Sequence, residues 1–129
     1  MAEDARLTYG TQVSTLRDAF SNTDKAIHQM FQELNSKIEE VHNVPDAQMD
    51  AKFDKLIAVE YLIVRVRSRV MTELANVQAA LSTSGGSSLD RVIKDRYNSV
   101  IIMCQRLNEF RDDISVIQRS MYSRTFGRA

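Results

Sequence analysis

Three stretches of this chain carry an apolar residue at every seventh position, and that repeat leaves few architectures open. Val13, Phe20, Ile27, Leu34 and Val41 form the first series, Met49, Leu56, Ile63, Val70 and Val77 the second, and Ile93, Val100, Leu107, Ile114 and Met121 the third. All fifteen places are apolar in a chain that is only 43% hydrophobic. A companion position three residues on is mostly apolar too, through Leu16, Met30, Val59, Val66, Ala80, Met103, Phe110 and Ile117. A period of seven belongs to long helices that pack side by side at shallow angles.

Two breaks set the boundaries. The only proline stands in Asn43-Val44-Pro45-Asp46, where it restricts the residue before it and fits only the first turn of a following helix. The second break, Ser82-Thr83-Ser84-Gly85-Gly86-Ser87-Ser88, is a polar linker. The expected elements are therefore helix 1 over about 11–43, helix 2 over about 46–82, a flexible loop at 82–88, helix 3 over about 88–122 and a short flexible C-terminal tail. Ser87 or Ser88 is placed to cap helix 3, with Asp90 favouring its dipole, and Asn43 or Asp46 is placed to cap helix 2. The turn-forming cluster Ser21-Asn22-Thr23-Asp24 invites a break in helix 1, but Phe20 and Ile27 hold their register across it, which favours one continuous helix. Each helix would span roughly 50 to 55 Å. With 129 residues in one domain, the expected fold is all-α, an elongated antiparallel three-helix bundle with coiled-coil-like heptad packing.

Some residues exceed what such a bundle needs. In Leu56 to Val66, reading LIAVEYLIVRV, nine of eleven residues are apolar, so Ile57, Tyr61, Leu62 and Val64 fall on faces that a three-helix core would leave bare. Ile101 and Ile102 do the same in helix 3. A twist of the bundle could hide them, but large apolar excess usually marks an interface, and these six are the candidate partner surface. Polar residues also interrupt the seams: Thr23, Lys37, Lys52, Glu73 and Arg96 occupy companion positions. Lys37 and Lys52 lie near helix ends, where their stems can reach solvent. Glu73 and Arg96 are the candidates for fixing register and partner choice.

The formal net charge of zero conceals a polarised chain. Residues 1–64 hold 11 acids and 6 bases, and residues 65–129 hold 6 acids and 11 bases. The late arginines could meet phosphates, yet Arg65, Arg67 and Arg69 spread around their helix, so pairing with acidic helices is the better expectation than nucleic acid.

A search for chemistry finds none that holds together. Ser21, Asp24 and His28 share one helical face but lack an oxyanion hole and a pocket. His28 and His42 lie ~21 Å apart on a helix, too far to share a metal ion. Asp46, Asp50 and Asp54 lack the alternation and glycine of a calcium loop, and Gly85-Gly86 lacks the lysine of a phosphate loop. The lone Cys104 reads as a small buried hydrophobe. The expectation is no catalytic residue, no cofactor and no metal. No apolar run approaches the ~20 residues needed for a membrane span, and the opening MAEDARLTYG is too acidic for a secretion signal, so the expected location is cytoplasmic, with the nucleus left open. The expected function is a non-enzymatic helical scaffold or adaptor whose partners are other helical proteins or further copies of itself. The alternatives are a self-assembling structural protein and a chaperone-like or targeting factor that holds an amphipathic client helix.

Overall fold

A computed structural model describes residues 2–86 and 89–126. The fold is an all-α three-helix bundle of α1 (Ala2–Asn43), α2 (Met49–Ser84) and α3 (Asp90–Phe126), with a single 3-10 turn at Asp46–Gln48 leading into α2. Helix α1 runs unbroken through Ser21 to Asp24, and it starts well before residue 11. It passes through Gly10, where a Cβ would meet nothing within 4 Å, so that glycine reflects no close approach of a neighbour.

Both expected breaks are present, each with a correction. Pro45 does not open the second helix. It sits in extended conformation, φ −60° and ψ 144°, and its carbonyl accepts from Gln48 N–H at 2.9 Å, so α2 begins only at Met49. Neither Asn43 nor Asp46 caps α2, whose N-cap position is Gln48 without a side-chain bond. The Asp46 carboxylate is instead taken by Lys52 at 2.9 Å and by Arg124 from the far end of α3. At the other break α2 runs on to Ser84. The hydroxyls of Ser82, Thr83 and Ser84 donate back to the carbonyls of Ala79, Ala80 and Leu81 at 2.8, 3.1 and 3.4 Å, so this polar run folds its side chains onto the helix. The chain then turns through Gly85 at φ −51°, ψ 119° and Gly86 at φ 78°, a positive angle that favours glycine and matches a type II turn. The capping expected of Ser87 or Ser88 lies outside the described residues. Asp90 does stand in the first turn of α3, where it pairs with Lys94 at 2.7 Å and accepts from Ser84 at 3.2 Å. Helix α3 extends to Phe126, past the expected end at 122.

The cross-helix bonds give the directions. Glu73 meets Arg96, Glu60 meets Gln118 and Asp46 meets Arg124, so positions on α3 rise as those on α2 fall, and the two are antiparallel. Lys55 of α2 meets Glu40 of α1 close to their connection. Helix α2 is the central member, packed along both neighbours, while α1 and α3 make little close backbone contact.

The reason lies in side-chain size. Where α2 meets its neighbours it offers valines, Val59, Val66, Val70 and Val77, all buried, and short side chains let helix axes approach. Facing each other, α1 and α3 carry Phe20, Phe31, Arg96, Arg106 and Phe110, which bridge a wider gap. Covering two neighbours also widens the buried stripe of α2. Leu62, expected on an outer face, is 5% exposed and belongs to the core, whereas Ile63 of the heptad series is only half-buried.

Candidate functional site

The wider gap between α1 and α3 forms a groove along the bundle. At its centre lies a cavity of about 410 Å³, with Ile27 and Phe31 of α1 and Ile102 and Met103 of α3 as its apolar lining and Asp24, Lys25, His28 and Arg106 among its polar residues. The floor is held rigidly. Phe31 stacks on Phe110 with ring centroids 5.6 Å apart, and the Arg106 guanidinium lies over both rings at 4.9 and 5.8 Å. Such stacked cations cover apolar surface while keeping a donor face available at the edge.

Toward the α3 N-terminus the groove is crossed by a charged cluster that ties all three helices. Arg96, with its side chain 3% exposed, donates from Nε and Nη2 to Glu73 of α2 at 3.2 and 3.0 Å and from Nη1 to Asp24 of α1. Its guanidinium also lies 4.9 Å above the Phe20 ring. Both seam residues singled out in the sequence are therefore each other's partners inside the chain. Burial opposes the charges of Arg96 and Glu73, but leaving either without the other would cost more. Two features here went unread in the sequence, Asp24 as third member and Phe20 as the surface beneath the cation. Glu73 and Arg96 as opposite charges at facing seam positions were the available signal. Nothing in the spacing of Asp24 revealed that α1 and α3 meet there.

The expected apolar belts separate in space. Ile102 is exposed on the lip of the groove and Ile101 is half-buried. Ile57, Tyr61 and Val64 are exposed on the outer face of α2, which contributes nothing to the lining of the central cavity. Met71, seven residues beyond Val64 and also exposed, continues that face, and the seven-residue period was enough to find it. Val116 and Tyr122 are further exposed apolar residues of α3.

Asp24 and His28 of the catalytic-looking trio bond to residues outside it. Asp24 is committed to Arg96, His28 shares a hydrogen bond with Gln32 at 3.2 Å, and Ser21 is exposed. Among the described residues no group of three or more His, Cys, Asp or Glu could hold a metal ion, and no described helix is long and apolar enough to cross a membrane. Cys104 is half-buried between the two halves of the core, and burial pushes its thiol up from the ordinary value. Lys37 reaches the surface beside Glu40, and the mostly covered stem of Lys52 ends on Asp46. Comparison of the chain with known family models, with curated proteins and with solved structures finds no match, so its own residues carry the functional reading.

Proposed function

We propose that the protein is a non-enzymatic helical adaptor that receives an amphipathic helix of a partner protein in the groove between α1 and α3. The observation that carries this reading is the open seam itself. Two helices held apart by stacked aromatic and arginine side chains leave an apolar floor, Ile27, Phe31, Ile102 and Met103, with charged groups on both banks. A helix laid there would complete a four-helix cross-section, the packing that helix-in-groove recognition uses. Ile102, more than half exposed, would become the buried anchor.

A photo-crosslinking residue at position 102 tests this in the native cell. The captured protein should be crosslinked through an amphipathic helix, and a peptide of that helix should bind the purified adaptor. Ile102→Asp should abolish peptide binding with helix content unchanged by circular dichroism. Binding that survives Ile102→Asp would overturn the groove as the site.

A further inference from the structure

From the outer face of α2 we infer that this chain forms a two-fold symmetric dimer, in which the α2 helices of two copies dock antiparallel. The face is a single stripe. Ile57, Tyr61, Val64 and Met71 recur at spacings of four, three and seven residues, which places them along one side of a helix, and all four are exposed. None of them belongs to either hydrophobic cluster of the bundle.

The charges along the stripe say what covers it. Asp50 and Asp54 continue it toward the α2 N-terminus, and Arg65 flanks it one turn beyond Tyr61. Many of the bundle's other charged groups are used internally, as with Asp24, Glu73, Asp46 and Asp90. Among the described residues Asp50, Asp54 and Arg65 form no ion pair. A stripe with acids before Tyr61 and a base after it complements a reversed copy of itself.

The register can be checked by position. In a two-fold antiparallel pair, residues that meet are equidistant from the axis in sequence. The midpoints of Asp54 with Arg65 and of Ile57 with Val64 both fall within one residue of position 60. One axis therefore sets acid against base and apolar against apolar at once, with Tyr61 packing near its counterpart at the centre. Parallel docking would set aspartate on aspartate and arginine on arginine, so charge selects the antiparallel arrangement. A single helix face is a small interface, and the dimer is accordingly reversible, with dissociation in the micromolar range. It leaves the groove between α1 and α3 free, so each dimer would present two partner sites.

Sedimentation equilibrium on the full chain over low to high micromolar concentration tests the dimer. The weight-average mass should rise from one chain toward two. Tyr61→Asp should hold the protein at monomer mass with unchanged helix content, since that side chain is exposed and outside the core. Asp54→Arg and Arg65→Asp should each weaken association by at least about tenfold, and their combination should restore it, because the swapped charges again meet opposite signs. Ile102→Asp should leave the dimer intact, which separates this inference from the adaptor reading. A chain that stays monomeric throughout, including one whose stripe instead serves a different protein, overturns the dimer. So does a dimer that survives Tyr61→Asp, or a double charge swap that fails to restore association.

Discussion

The two ends of the bundle are built differently although all three helices run through both. At the end that holds the α1–α2 connection, Ile27, Phe31, Leu34, Ile38 and Val41 of α1 join a continuous core with Leu56 to Val70 of α2 and Leu107 to Met121 of α3. At the other end the core is Val77, Ile93 and Val100 with Leu74, Ala80, Leu81, Leu89 and Tyr97 around them, and among the described residues α1 contributes no side chain to it. From Gly10 to Ala26 no side chain of α1 is buried. The same heptad spacing thus yields a closed three-helix core at one end and a two-helix core with an attached third helix at the other. The difference teaches that an apolar series is permissive for packing, while what stands between its members decides whether packing closes. At the open end the intervening residues are Arg17, Ser21, Asp24, Asp95 and Ser99, which line a polar cavity of about 280 Å³ with Phe20, Val92 and Arg96.

The Arg96 cluster stands at the boundary and holds the open end together, so its loss should be the largest single effect. Arg96→Ala leaves Glu73 buried without a counter-charge and should destabilise the fold by about 3–5 kcal/mol in chemical denaturation. Replacing both, Glu73→Leu with Arg96→Met, should recover most of that loss or exceed wild type, because the desolvation of both charges disappears together. A double variant as unstable as Arg96→Ala would show that the cluster is not the seam's main constraint.

The ends should also differ in sensitivity to truncation. Leu34→Ala, in the closed core, should cost about 2–5 kcal/mol. Phe20→Ala, at the open end, should cost about 1 kcal/mol, from one partly buried ring and its contact with Arg96. Amide hydrogen exchange should follow the same division, faster over residues 10–24 than over 27–41. Equal costs and equal protection would erase the distinction between the ends.

A smaller change should sharpen it. Gly10→Ala puts a better helix former inside α1 where a Cβ meets open space, and should stabilise by about 0.5–1 kcal/mol in the same assay. The smallest effect concerns the surface pairs at opposite ends. Lys52, with Arg124 in support, holds the Asp46 carboxyl below its ordinary value of 3.8, and Lys94, with help from Ser84, does the same for Asp90. A carboxyl lowered in the fold contributes stability that is fully present above its unfolded value and is lost as pH falls through the folded one. Stability should therefore fall as acid is added below about pH 4, slightly less steeply in Asp46→Asn or Asp90→Asn. Thermal midpoints measured from pH 6 down to pH 2 would check the slope.

Much of this was legible beforehand because helices are local. Spacing alone placed three helices, and the breaks at 43–46 and 82–88 marked both connections, although α2 runs on through residues 82–84. It also kept α1 continuous, since Phe20 and Ile27 share a face only if the helix does not break between them. The heptad positions became the core at Ile27, Leu34, Val41, Leu56, Val70, Val77, Ile93, Val100, Leu107, Ile114 and Met121. The errors arose where a residue's fate depends on its neighbours' bulk. Leu62 was expected outside and is inside, because α2 lies between two helices and must bury a wider face. Ile57, Tyr61, Val64 and Ile102 did turn out exposed, but on two separate surfaces, and only the third dimension could divide them.

What the residues determined by themselves is therefore the number and order of the helices and most of the heptad residues that each turns inward, since these follow from period, propensity and the Gly and Pro positions. What the tertiary structure decided is which pairs of helices draw close and which stay apart. That depends on valines meeting along α2 and on aromatic and arginine side chains meeting between α1 and α3, contacts between residues as many as 79 positions apart in sequence, as for Phe31 and Phe110. No local pattern carries that information, and it is that choice which leaves one seam open as a groove.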